Sequence, residues 1–163
     1  MGRNPVEVVT RQASTDFQAK RKALEELAAA LLSSIGGFIE IDRNVNTVTE
    51  EIDVVFRNAS TDPLWQKESE FILVECKNWR TQRVGKNEFV LFKEKMANRY
   101  GRCKLGFLVC TEEFAETVTL EGLRSSQGEL VIVPINGEAL LRLVASTDRS
   151  QLLRSFVDKA ILR

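Results

Sequence analysis

The chain has 163 residues, 23 acidic and 23 basic side chains, and no histidine. The missing histidine excludes serine or cysteine catalysis with an imidazole base, and three scattered cysteines without it build no zinc site. What catalysis remains open rests on carboxylates, lysine and a hard metal ion.

The length suits one domain with a core that needs no staple, and the 44% apolar content is ordinary for a globular protein. An odd, scattered cysteine set points to a reducing, cytoplasmic setting. No stretch approaches the roughly 18 apolar residues of a membrane span, and MGRNPVEVVTRQ lacks the apolar core of a leader.

In chain order, residues 1–14 read as an arm with a short extended piece at Val6–Val9. A helix begins at Thr15 or Asp16, either of which can cap it. Its apolar face is Phe17, Leu24, Leu27, Ala28, Leu31, Leu32 and Ile35, and Gly36-Gly37 ends it. FIEIDRNV and VTEEIDVVF (48–56) are predicted strands, followed by a polar connection, 57–70, that is long for a hairpin. FILVECK is the third strand and NWRTQRVG a loop. A helix over 86–100 follows, with Phe89, Phe92, Met96 and Tyr100 on one face and Gly101 as its stop. KLGFLVC (104–110) is a strand of the type buried on both faces. A helix over EEFAETVTLEGLR, a strand at 129–135 and two helices near 137–145 and 148–162 complete the chain. The apolar faces of the last two are Leu140, Leu141 and Val144, then Leu152, Leu153, Phe156, Val157, Ala160 and Ile161. Three strands in a meander followed by βαβ crossovers predict an α/β fold, a mixed five-stranded sheet flanked by helices. One domain over 15–147 carries 148–163 as a helix packed on the same sheet rather than as a dimer element.

Charge is uneven along this neutral chain. Residues 77–104 hold nine basic side chains against Glu88 and Glu94, the footprint of a polyanion partner or of a helix face balanced in space by the acidic first half.

The third strand finishes in charge. Period-two alternation puts Phe71, Leu73, Glu75 and Lys77 on one side and Ile72, Val74 and Cys76 on the other. Asp53 lies between Ile52 and Val54 on the strand before. If the two strands pair, the two carboxylates meet, and two ionised carboxylates at close range need a cation between them. Lys77 supplies part of that charge. Magnesium, which favours one or two carboxylates with water, supplies more, and such an ion activates water for attack on a phosphodiester.

On these residues the chain resembles the restriction-endonuclease-like PD-(D/E)XK nucleases, and most closely their Mrr-like branch. The resemblance spans residues 17 to 145: the acidic helix ALEELAAALLSSIGG with Glu25, the Ile52-Asp53 pair, Glu75-Cys76-Lys77, Val84-Gly85 before the next helix, GFLVCTEEF and VIVPINGEALLRLV. Glu50 and Glu51 stand where family members often carry glycines. The resemblance implies an endonuclease dependent on Mg2+ (or Mn2+), acting on double-stranded DNA and serving restriction or defence. It implies that Asp53, Glu75 and the Cys76 carbonyl hold the metal. Lys77 would stand beside the water, and Glu25 would complete the acidic cluster directly or through water. A separate targeting or sensor domain, or a homodimer, would direct it.

Arg80, Arg83 and Lys86 are the phosphate-binding candidates, Lys86 with help from a helix N-terminus; Asn78 and Gln82 join them as nucleic-acid contacts. The Cys76 side chain points into the core and Glu26 to the helix surface. Trp79 is either a stacking residue or partly buried packing, and Trp65 is read as packing before partner contact. Val84-Gly85-Lys86-Asn87 lacks the earlier glycine and the following Ser/Thr of a P-loop. The rival function is a non-catalytic nucleic-acid-binding or assembly module that keeps the fold.

Overall fold

The order of elements is α1 (Pro5–Ser33), β1 (Phe38–Asn46), β2 (Glu51–Asn58), β3 (Phe71–Lys77), α2 (Lys86–Ala97), β4 (Leu105–Cys110), α3 (Glu116–Arg124), β5 (Val131–Ile135), α4 (Gly137–Ala145) and α5 (Arg149–Leu162). A computed structural model describes residues 5–79, 82–124 and 128–162, with the backbone alone for 5–17, 123 and 124. The five strands lie in the sheet in the order β1-β2-β3-β4-β5. The first three form an antiparallel meander, and β3, β4 and β5 run parallel. This is the predicted mixed sheet.

The sheet separates two cores. On one face Ile72, Val74, Cys76, Phe107 and Val109 pack against Leu24, Ala28 and Leu32 of α1 and against Leu140, Leu143, Leu153 and Val157 of α4 and α5. On the other, Leu73, Leu108 and Cys110 pack against Phe89, Phe92 and Met96 of α2 and Val118 of α3. All six residues of β4 are buried, as its unbroken apolar run predicts. β3 alternates between the two cores as its period requires.

Several predicted boundaries shift. The first helix starts at Pro5, so the expected extended piece at Val6–Val9 is helical. β2 starts at Glu51 because Thr47 and Glu50 close a turn, with Thr47 N donating to Glu50 O at 2.9 Å. α2 stops at Ala97 with Asn98 as its cap. Tyr100 is therefore not part of its buried face: it adopts a left-handed conformation (φ 56) and is exposed. On α4 the buried pair is Leu140 and Leu143, whereas Leu141 and Val144 face outward. Leu27 of α1 and Ile161 of α5 are likewise exposed, because the stripes those helices bury are narrower than their apolar content.

The long 57–70 connection is a packed element. Trp65 is fully buried in the α1 side of the core, edge-on to Phe38 with ring centroids 5.1 Å apart. Its indole nitrogen donates to Ser150 Oγ at 2.8 Å, and Arg154 donates to Leu64 O at 2.9 Å. Trp65 thus ties the connection to α5 as packing.

Candidate active site

β2 and β3 pair from Arg57↔Phe71 to Val54↔Val74, and there the ladder ends. Asp53 and Glu75 are the next residues, facing the place where the strands part. Both are buried, 2% and 4% exposed, and buried carboxylates require partners. Asp53 Oδ2 accepts the Cys76 amide at 2.7 Å. Glu75 takes Lys95 of α2 on both oxygens at 3.0 Å, and Lys77 on Oε1 at 3.1 Å.

The part of α1 nearest this end completes the cluster. Beside the stripe of Leu24, Ala28 and Leu32 that packs on the sheet stand Glu25 and Arg21, one helical turn apart on the same face. Arg21 Nε pairs with Glu25 at 3.3 Å, and its Nη2 lies 3.2 Å from Asp53 Oδ1 and 3.4 Å from Glu51. Burial raises the Glu25 pKa and Asp53 raises it further, against the pull of Arg21. Burial lowers the Arg21 pKa, but Asp53, Glu51 and Glu25 outweigh it and hold the guanidinium above its ordinary value.

A cavity of about 230 Å³ opens between these groups, lined by Arg21, Glu51, Asp53, Glu75, Cys76, Lys77, Asn78, Trp79 and Lys95. A larger one, about 440 Å³, lies among α3, α4 and α5 and contains none of the predicted site residues. Of those residues, Asp53, Glu75, Cys76, Lys77 and Asn78 come together at the smaller cavity. Glu25 is buried (4% exposed) but does not line it, and meets Asp53 through Arg21. Asn78 Oδ1 accepts the Thr111 hydroxyl at 3.1 Å. Trp79 is half-buried, combining packing against the α2 side of the core with one wall of the cavity. Gln82, Arg83 and Lys86 are exposed beyond it, and Arg80 lies outside the described residues. Cys76 is 3% exposed, and burial, with Asp53 next, pushes its thiol pKa well up; the side chain is core.

The helix terminus expected to serve Lys86 is engaged internally. Glu88 accepts the Gly85 amide at 2.9 Å, and the Lys86 amide donates to Thr117 Oγ1 at 3.2 Å. Much of the basic run is likewise engaged: Lys77 and Lys95 with Glu75, Arg99 with Glu50, Arg102 with Glu70, Lys104 with Glu129. Balance in space therefore accounts for a good part of the charge that the sequence concentrates there.

Arg21 and Lys95 are the site residues that sequence reasoning missed. The signal for Arg21 was its spacing of four from Glu25 on the buried stripe. The signal for Lys95 was its position beside Met96 at the border of the α2 apolar face. As metal donors, Asp53 and Glu75 supply hard oxygens at one cavity, which suits magnesium completed by a carbonyl and water. Among the described residues no three Asp, Glu, Cys or His side chains cluster to hold an ion by themselves. The donor chemistry fits, with the cations Arg21, Lys77 and Lys95 standing on the same oxygens.

Among solved structures, the chain is similar to the DNA modification-dependent restriction endonuclease AspBHI, with TM-score 0.55 and 16% identity over 99% of this chain and 40% of that one. It is also similar to the MspJI restriction endonuclease in complex with a 27-mer oligonucleotide, with TM-score 0.54 and 21% identity over 97% of this chain and 37% of that one. The chain spans less than half the length of either. No family model matches the sequence, nor does any curated protein. The fold is that of the restriction endonucleases.

Proposed function

We propose that the protein is a metal-dependent endonuclease of the Mrr-like branch that hydrolyses phosphodiester bonds of double-stranded DNA in restriction or defence. The observation that carries this reading is the meeting of Asp53, Glu75 and Lys77 around one cavity where the β2–β3 ladder ends. The DNA endonucleases that share the fold support DNA as the substrate.

Asp53 and Glu75, with the Cys76 carbonyl, would hold Mg2+ or Mn2+. Such an ion, when bound, polarises a phosphoryl oxygen and lowers the pKa of water. The residues of the chain do the rest. The Cys76 amide fixes Asp53 Oδ2 and so orients its other oxygen. Lys77 Nζ, held by Glu75 at 3.1 Å, orients the attacking water and neutralises charge developing on the phosphate. The Asn78 amide, positioned by Thr111, faces the same space. Arg83 and Lys86, exposed on the approach to the cavity, contact backbone phosphates together with Gln82 and Arg80. Glu25 acts on the cluster from behind.

One observation favours the rival reading of a binding or assembly module on a nuclease fold: each carboxylate oxygen of Asp53 and Glu75 already has a partner in the protein. Labelled duplex DNA, single-stranded DNA and RNA, incubated with Mg2+, Mn2+ or EDTA, separate the two. The nuclease cuts duplex only with the metal and stops cutting as Asp53→Ala or Lys77→Ala. A folded wild type that binds DNA equally well in EDTA and cuts nothing is the binding module.

A further inference from the structure

Arg21 stands opposite three carboxylates, Glu25 on its own helix and Glu51 and Asp53 on β2, and it is paired with the buried carboxylate of Asp53. Its Nη2 serves Asp53 and Glu51 together while Nε serves Glu25. This division uses the planar fork of a guanidinium, which an ammonium cannot reproduce. Asp53 Oδ2 is committed to the Cys76 amide, so Oδ1 is the oxygen without a backbone partner, and Arg21 sits on it at 3.2 Å. A divalent cation held by Asp53 needs that oxygen and would stand within a few ångströms of the guanidinium. Like charges at such range repel strongly where the site is partly dry.

We propose that Arg21 is a built-in counter-ion that sets the affinity of this site for divalent cations, holding it low until the guanidinium yields Asp53. Glu25 is then the residue that positions Arg21, consistent with its lying behind the cavity rather than in its wall. The side chain of Arg21 is 33% exposed, so it has an open route to solvent when it leaves Asp53. A phosphate of bound substrate would be the natural acceptor for the displaced guanidinium, which makes cation binding and substrate binding mutually favourable. This inference rests on the metal reading of the proposed site and adds the residue that tunes it.

The test is a calorimetric titration of Mn2+ alone into the full chain, as wild type, Arg21→Gln and Asp53→Asn. Arg21→Gln is expected to bind Mn2+ about tenfold tighter, and Asp53→Asn to lose the binding. A purely structural Arg21 would lower the melting temperature of Arg21→Gln and leave its Mn2+ affinity unchanged; that result overturns the proposal and leaves the nuclease reading standing. Absence of Mn2+ binding in both wild type and Arg21→Gln overturns the proposal and the metal reading together. Should Arg21→Gln not fold, Arg21→Lys keeps the charge but loses the fork. It is expected to bind Mn2+ more tightly than wild type by a smaller factor, and equal or weaker binding by a folded Arg21→Lys overturns the proposal.

Discussion

Asp53 shows how one side chain can close a strand ladder and line a cavity at once. It ends the β2–β3 ladder by supplying an acceptor to the Cys76 amide, and its other oxygen meets Arg21. Lys77 is less constrained, meeting Glu75 through one oxygen while Lys95 holds both. Lys77→Met is therefore expected to fold normally and to lose about 10²–10³-fold in cleavage rate, the cost of removing a group that stabilises developing charge; unfolding curves and single-turnover rates measured together check this. The cysteines behave oppositely. Burial raises the thiols of Cys103 and Cys110 to about 12, and Cys76 is raised as well. Their folded values exceed the unfolded ones, so the stability they contribute is complete below the unfolded pKa of about 8.5. It declines as pH rises from there toward the folded values. At pH 8.5, Ellman's reagent should label the three thiols slowly in native protein and at once in denaturant; fast native labelling would contradict their burial.

At the scale of elements, α1 carries both apolar packing residues and the charged pair Arg21–Glu25 on a single face. Leu24, Ala28 and Leu32 seat it on the sheet, and Glu25, next to Leu24, with Arg21 one turn before it, faces the end of β2. The 57–70 connection has the corresponding structural role at its own position, because Trp65 fills the core between Phe38 and α5. Trp65→Ala removes a fully buried aromatic and should cost about 3–5 kcal/mol of stability, read from urea unfolding, while Mn2+ binding per folded molecule is unchanged. Gly37 reinforces that junction: its φ is +87, and a Cβ there would collide with the Ser60 backbone. The turn between α1 and β1 and the start of the connection consequently pack too closely for any other residue.

At the scale of the molecule, the basic residues fall at two ends of the sheet. Arg102 pairs with Glu70 at the end of β3 remote from the cavity, and Lys104 pairs with Glu129. Arg83 and Lys86 lie at the other end, Arg83 exposed before α2 and Lys86 exposed at its start with its Nζ 3.9 Å from Glu121. Replacing Arg83 or Lys86 with Ala should weaken duplex binding uniformly across sequences and lower the slope of log affinity against log salt by about one each. Arg102→Ala should leave that slope unchanged. Fluorescence anisotropy over a salt series measures both. Equal effects at the two ends would mean that the basic run acts as a diffuse field rather than as a groove.

Period and composition in the sequence suffice for the mixed sheet, the two-faced burial of β4 and the alternation along β3 that puts Glu75 and Lys77 on one side, whereas Asp53 joins them only through the β2–β3 pairing. Each follows from local repeats, two residues per strand period and 3.6 per helical turn, and a local repeat is legible without knowing its neighbours. The reach of the α2 apolar face and the outward turn of Leu27, Leu141 and Val144 needed the tertiary structure, because a helix buries only as wide a stripe as the surface opposite it accepts. The same holds for the partners of charged groups. Arg21 and Glu51 are thirty residues apart in the chain, and Lys95 and Glu75 are twenty apart. Only the docking of α1 and α2 on the sheet makes them neighbours. A run of basic residues can look like a binding surface when read in order, and prove in space to be shared among acidic partners scattered over the molecule, because electrostatic energy depends on distance through the folded molecule and not along its sequence.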